Sequence, residues 1–265
     1  MKIKAVALDM DGTLLCSDHK PSETTKQFLL DIEKKGVKVI IATGRSFGGT
    51  EATANLLGLD NGLVLCYNGA KVVNYKDKSV LFEKPLAEKH IKELIRIADE
   101  NNVHINLYQN NIWYVDNPER PEVKIYSEKC GITPVVKSHD SFESYLMPKV
   151  VFIGEHEKLV EIEKEIKEKI GDEIHIAFSS DTFLEAMNKD VNKGITLKWI
   201  LNHFGITTEE CAAFGDAQND LEMLHSVKYG VAMGNADEEF KKKLNYTTLS
   251  NDEDGIVAFL KPYFE

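Results

Sequence analysis

Apolar positions along this chain fall into two rhythms that alternate at both of its ends. Ala5 to Leu8 is an uninterrupted apolar run, the pattern of a strand covered on both faces. Ser22 then opens a stretch with Phe28, Leu29 and Ile32 on one helical face, and Gly36 ends it. Val37 to Ala42 is a second apolar run rich in β-branched residues, and Leu63 to Cys66 is a third. Strand, helix and strand in this order predict parallel strands joined by crossover helices. The rhythm returns late in the chain. A helix over Ile195 to Phe204, closed by Gly205, precedes strands at Cys211 to Phe214, Val231 to Met233 and, last, Thr247 to Leu249, and Thr207 and Glu210 have capping-box spacing.

The middle of the chain reads differently. Ala87 to Asn101 is amphipathic, with Ile91, Leu94, Ile95 and Ala98 in register. Val103 to Tyr108 alternates and predicts a strand with one wet face, paired with Ile112 to Val115 across a turn at Gln109 to Asn111. Residues 116–144, with Pro118, Pro121 and Pro134, carry no pattern that places an element. A strand at Val150 to Ile153, a helix at Glu157 to Ile170 closed by Gly171, and strands at Ile174 to Phe178 and Phe183 to Met187 follow. Helix–strand–strand thus occurs around 87–115 and again around 157–187, without a matching repeat of residues. The simplest architecture is α/β: a doubly wound parallel-sheet, Rossmann-like core from residues 1–82 and 188–265, interrupted by an inserted α+β module over 83–187.

Composition narrows the functions open to such a fold. The 265 residues suit two domains, and 43% apolar with 28% charged residues is an ordinary soluble composition. A net charge of −11 disfavours nucleic acid and anionic membranes as partners, so a phosphate-bearing ligand requires a local positive site. Cys16, Cys66, Cys130 and Cys211 form no CxxC pair, which argues against a disulfide framework or a zinc site and for reduced thiols. The opening Met1 to Gly12 has a short apolar run followed at once by carboxylates, unlike a signal peptide, and no stretch approaches the ~20 apolar residues of a bilayer span. A cytoplasmic location is expected.

Candidate chemistry collects after the predicted core strands, at the edge where open α/β sheets bind ligands. Asp9 and Asp11 follow the first strand, Thr43 and Gly44 the second, and Asp216, Asn219 and Asp220 the Cys211–Phe214 strand. Two carboxylates as close as Asp9 and Asp11 each raise the other's pKa unless a cation intervenes, and Mg²⁺ with its oxygen ligands suits them. Taken alone, Asp9 to Thr13 reads as a solvated acidic turn. Asp220 alone reads as a cap for a helix starting near Leu221. Thr43-Gly44-Arg45 offers a hydroxyl, an open backbone N–H and a guanidinium, all phosphate-binding groups, and reads equally well as a strand end with Arg45 on the surface. Lys193 stands at the start of a helix, where a cation opposes the dipole at a cost of about 0.3–1 kcal/mol; an anion held between them reverses that cost. Tyr108, Trp113, His104 and His175 are candidate ligand contacts that read more readily as packing residues.

Together, Asp9-Met10-Asp11-Gly12-Thr13, Thr43-Gly44-Arg45, Val191-Asn192-Lys193-Gly194 and Gly215 to Asp220 resemble, in order and spacing, the four motifs of the haloacid dehalogenase (HAD) superfamily. The insertion and Asn68-Gly69-Ala70 resemble its Cof-type, subclass IIB sugar-phosphate phosphatases. The resemblance covers essentially the whole chain. It implies a Mg²⁺-dependent phosphatase acting on a small phosphorylated metabolite, with a sugar phosphate as the leading class, through a phosphorylated Asp9. Asp11 would protonate the leaving group and later activate water. The metal would be held by the Asp9 carboxylate, the Asp11 backbone carbonyl and Asp216. Met10 (through its backbone), Thr43, Gly44, Lys193 and Asn219 would hold the phosphoryl group, and Asp220 would support the metal loop. The inserted module would be a cap that closes over the core edge and sets substrate choice. A phosphomutase on the same scaffold and a phospho-ligand sensor without turnover are the alternatives. The sequence names no oligomeric state.

Overall fold

The structure, a computed structural model, describes residues 3–265. The chain forms two compact units, one from the residues up to Phe82 together with Asn192–Glu265, the other Glu83–Val191. The second division falls after Val191, later than the 187/188 position read from the sequence. Side-chain ties explain this: Asn188 Nδ2 donates to the carbonyl of Pro85 at 3.0 Å, and Lys84 pairs with Asp190 at 2.8 Å, so the turn after the last inserted strand stays with its own unit.

Along the chain, β1 (Ala5–Asp9), α1 (Glu23–Lys34), β2 (Lys38–Ala42), α2 (Phe47–Leu57) and β3 (Leu63–Cys66) come first. Helix α1 begins where Ser22 Oγ accepts the N–H of Thr25 at 3.0 Å, and it buries Leu29 and Ile32. β1, β2 and β3 are parallel, as the rhythm requires. β4 (Lys71–Asn74) then returns antiparallel to β3, with β5 (Val80–Glu83) beyond it. This edge hairpin lacks a sequence signal: β4 opens on a lysine and β5 is partly or fully exposed along its length.

The inserted unit contains α3 (Glu88–Glu100), β6 (His104–Gln109), β7 (Ile112–Val115), α4 (Pro121–Cys130), β8 (Val135–Val136), β9 (Lys149–Ile153), α5 (His156–Lys169), β10 (Ile174–Ser180) and β11 (Phe183–Asn188). Its sheet runs β10-β11-β9-β6-β7-β8. Ile91 and Leu94 of α3 and Leu159, Ile162 and Ile166 of α5 form one core with Ile105, Leu107, Phe152 and Leu184 of the strands. Each of the two helices is followed by a hairpin, β6–β7 after α3 and β10–β11 after α5. The expected wet face of β6 is not found: His104 through Tyr108 are all buried. The reason lies in the segment that had no pattern. It supplies α4, whose Tyr126 ring meets those of Trp113 and Phe183 at steep angles, 58° and 62°, and whose hydroxyl accepts a hydrogen bond from the Tyr108 hydroxyl at 2.6 Å. The polar positions His104 and Asn106 meet each other at 2.8 Å instead of water. His175 is exposed.

The chain then completes the first unit with α6 (Lys193–His203), β12 (Cys211–Gly215), α7 (Leu221–His225), β13 (Tyr229–Ala232), α8 (Glu238–Lys241), β14 (Tyr246–Thr247) and α9 (Gly255–Leu260). The full sheet order is β14-β13-β12-β1-β2-β3-β4-β5, so β1 lies between strands from opposite ends of the chain. Helix α6 starts before its apolar pattern does, because Asn192 Oδ1 accepts the N–H of Ile195 at 2.7 Å and sets the first turn at Lys193. No helix among the described residues is long and apolar enough to cross a membrane.

Candidate active site

Strand register builds the site. On β1, Asp9 stands level with Ala42 of β2, and Leu8 stands level with Phe214 of β12. Asp9, Thr43 and Asp216 therefore leave three adjacent parallel strands at the same carboxyl edge, the place where a doubly wound sheet presents its loops. Backbone bonds extend that edge to the turn after β3: Thr43 N donates to the carbonyl of Leu65 at 2.8 Å, and Asn68 N to the carbonyl of Thr43 at 3.0 Å.

At the centre lies a buried charge cluster. Lys193, its side chain fully shielded from solvent, donates to Asp9 Oδ1 at 2.5 Å and to Asp220 Oδ1 at 2.6 Å. Asp220 has no uncommitted role: its second oxygen accepts the backbone N–H groups of Asp216 and Ala217, both at 3.1 Å, and so fixes the loop after β12. Gly215 makes room for this, since a Cβ there would lie 2.5 Å from Asp220 Cβ. Burying an ion is costly unless partners surround it. For Lys193, burial opposes the charge, but Asp9 and Asp220 overcome it and hold the ammonium well above its usual range. For Asp9 the balance goes the other way: burial outweighs the pull of Lys193, Asp220 adds to it, and the carboxyl is pushed up to about 8.

Asp216 completes the cluster from the neighbouring loop. Thr13 Oγ1 donates to its Oδ1 at 2.8 Å. Gly12, at φ +82°, passes so close that a Cβ would lie 2.4 Å from Asp216 Oδ2. Burial raises the Asp216 carboxyl to about 6, against the hydrogen bond from Thr13 and with the help of Asp220. One oxygen each from Asp9, Asp216 and Asp220 lies within 4.8 Å of the others. Three carboxylates thus face one ammonium, and all the donors are hard oxygens. Such a set fits a divalent cation of the Mg²⁺ kind. Asp9 and Asp216 are the natural holders, each having a second oxygen beyond the one engaged by Lys193 or Thr13.

The remaining residues singled out in the sequence sit around this cluster. Thr43 is buried, and its Oγ1 accepts the N–H of Arg45 at 3.1 Å. Gly44 runs against Asn68, whose Oδ1 would be 3.1 Å from a Cβ placed on the glycine. Asn219 is exposed, with Nδ2 3.5 Å from Asn68 Oδ1. Met10 is buried, and its carbonyl accepts the N–H of Leu15 at 2.9 Å. The Asp11 carboxylate stands apart from the acidic cluster. It is exposed and held by Arg45, with Nε 2.9 Å from Oδ2 and an Nη 2.6 Å from Oδ1. Sequence reasoning gave Arg45 a possible anion to bind but not this partner, and it missed Thr13 as the donor to Asp216. Nothing local marks either pair, because each partner arrives from a different loop.

The haloacid dehalogenase-like hydrolase family model matches residues 6–260. The HMP-PP phosphatase of Yersinia pestis (strain Pestoides F) is 32% identical over 259 residues, which is 97% of this chain and 94% of that protein. A crystal structure of a haloacid dehalogenase-like hydrolase from Bacteroides thetaiotaomicron superposes with a TM-score of 0.91 at 30% identity, covering 98% of this chain and 99% of the other. The subclass IIB sugar phosphatase BT4131 gives a TM-score of 0.80 at 26% identity, over 98% and 99% of the two chains. With the family's sequence matched from the first core strand to the last helix and its fold reproduced in full, the chain belongs to the haloacid dehalogenase-like hydrolases, as one of their phosphatases.

Proposed function

We propose that the enzyme hydrolyses a small phosphorylated metabolite through a phosphorylated Asp9, with Mg²⁺ held by the Asp9 and Asp216 carboxylates and the Asp11 backbone carbonyl. The observation that carries this reading is the excess of buried carboxylate around a single ammonium, directly at the edge where the strands release Asp9 and Thr43. Bound there, Mg²⁺ would offset the charge of the carboxylates and of the phosphoryl oxygens. The relatives named for HMP-PP and for sugar phosphate support two substrate chemistries, both small phosphorylated metabolites.

The residues then divide the work. One oxygen of the Asp9 carboxylate attacks phosphorus, and the bond to the leaving oxygen breaks as Asp11 gives that oxygen its proton. Water next attacks the phosphorus of the acyl phosphate and returns a proton to Asp11, which restores Asp9 and releases phosphate. Lys193 holds negative charge at fixed distance throughout, with no reorganisation needed. On this reading the Thr43 hydroxyl, the Gly44 and Met10 backbone and the Asn219 amide bind the phosphoryl oxygens. The inserted unit occupies the chain position of a cap, and substrate choice is assigned to it by that likeness.

Phosphate release from sugar phosphates and from HMP-PP, with Mg²⁺ and with EDTA, tests the reading. Release is expected with Mg²⁺, lost in EDTA and restored by added Mg²⁺; release indifferent to EDTA would remove the metal from the mechanism. Mg²⁺ affinity should also depend on pH. Without metal, Asp9 and Asp216 keep protons up to about 8 and about 6, and the cation must displace them. Affinity is therefore expected to rise with pH across that window, by about tenfold per pH unit for each proton displaced. By the same sign, these two groups favour the metal-free fold fully only below about 3.8, where they are protonated folded and unfolded alike, and that contribution is lost as pH rises from there to about 6 for Asp216 and about 8 for Asp9. Calorimetric Mg²⁺ titrations at several pH values check the first statement, and a flat affinity would contradict it.

A further inference from the structure

We propose that Arg45 selects substrates whose leaving group carries a second anionic group, a phosphate or a carboxylate, close to the departing oxygen. The proposal rests on the reading of Asp11 as the residue that serves that oxygen. Arg45 engages both oxygens of Asp11 at once, Nε to Oδ2 at 2.9 Å and an Nη to Oδ1 at 2.6 Å. While this fork is closed, both oxygens of Asp11 are engaged by the guanidinium, and turning one fully to a leaving group breaks part of the fork. One of the two side chains must release the other before the first chemical step.

The backbone decides how Arg45 can do so. Its N–H donates to Thr43 Oγ1 at 3.1 Å, and its carbonyl accepts the N–H of Tyr67 at 3.0 Å. The next residue, Ser46, caps α2 through Gly49 N at 3.1 Å. The main chain is thus tied on both sides, and rearrangement falls to the side chain. That side chain is 33% exposed, so it borders the open side of the site. Lys193, by contrast, is buried and committed to Asp9 and Asp220. A guanidinium fork matches carboxylate and phosphate with the same planar geometry. An anion on the leaving side of the substrate is therefore an exchange partner for Asp11: Arg45 stays paired and Asp11 is set free. A neutral leaving group offers no such exchange. Arg45 touches Asp11, so the atoms it can reach are those bonded to the oxygen that Asp11 serves, which places the second anion near the scissile bond and not at the far end of the molecule.

Binding of non-hydrolysable probes to the Mg²⁺-loaded enzyme tests this. The probes are methylphosphonate as the reference, methylenediphosphonate for a second phosphate, and phosphonoacetate for a carboxylate. Wild type is expected to bind one of the two longer probes about tenfold or more tightly than methylphosphonate, and the better probe tells phosphate from carboxylate. Arg45→Ala is expected to lose most of that ratio, and Arg45→Lys, which keeps the charge but not the fork, to retain part of it. Metal chelation by the diphosphonate affects all three proteins alike and cancels in the comparison. An equal ratio in Arg45→Ala and wild type overturns the proposal, as does a wild type without preference. If Arg45→Ala fails to fold, an undiminished ratio in Arg45→Lys counts against the fork in the same way. The assay needs no turnover, so a protein that shows the preference yet releases phosphate from no ester would refute the phosphatase mechanism and not the anion site.

Discussion

Asp9→Asn is expected to abolish phosphate release, by on the order of 10⁴-fold or more, while the protein stays folded. The amide has the shape of the carboxylate but cannot attack phosphorus, and it removes a negative charge from the place where a cation would be held. Its effect on stability should be small or even favourable without metal. Asp9 is buried beside Asp216 and Asp220, and its charge is disfavoured there, as its rise to about 8 records. Replacing the acid with a neutral group removes a burden that builds up as pH rises from 3.8, the ordinary value, to about 8 and stays constant above it, so the variant gains most at and above pH 8 and changes little only below about 3.8. Single-turnover phosphate release together with chemical denaturation in EDTA checks both parts. Turnover within tenfold of wild type would take Asp9 out of the nucleophile's role.

Lys193→Met is expected to damage both fold and function. Lys193 is the ammonium between Asp9 and Asp220, and its removal leaves two buried carboxylates without their partner. Losing one member of a buried ion cluster costs about 3–5 kcal/mol, largely from the charge left behind. The loss should shrink at low pH, where the Asp9 carboxyl is protonated in the folded and the unfolded chain alike. It should grow as pH rises, since an acid whose pKa is raised in the fold withdraws stability on ionising. Removing Asp220 as well, in Lys193→Met/Asp220→Asn, is expected to recover part of the stability but not the turnover. That split separates the structural from the chemical role of the ammonium. Denaturation midpoints for the single and double variants across pH provide the measurement. Equal stability of Lys193→Met and wild type at neutral pH would mean that the buried cluster does not carry the strain assigned to it.

These two residues show how differently the parts of the site announce themselves. Asp9 is legible only in company: by itself the segment after the apolar run reads as a solvated acidic turn, and it is the motifs after the other strands and at Lys193 that give the strand end its role. Lys193 is legible as an anomaly, a cation at a helix start where the dipole disfavours it. What the sequence does not disclose is that one ammonium serves two carboxylates, separated from it by 184 and 27 positions along the chain. Asp220 had a plausible local role as a helix cap. In the fold its oxygens instead bind Lys193 and the backbone of Asp216 and Ala217, so it holds the loop that presents Asp216.

The sequence by itself determined the element order of the parallel core, the inserted α+β segment and the residue types gathered at the carboxyl edge. These features are local: the period of apolar residues, a cap such as Ser22 and the residue that follows a strand depend on neighbours a few positions away. Tertiary structure alone decided who meets whom. It covered the polar side of β6 with α4, joined Thr13 to Asp216 across 203 positions, and closed Arg45 on Asp11. A hydrogen bond or ion pair of this kind depends on distances of a few ångströms, which strand register and loop path set only once the sheet is assembled. Periodicity carries no record of them, and for that reason the chemistry of the site could be anticipated while its pairings could not.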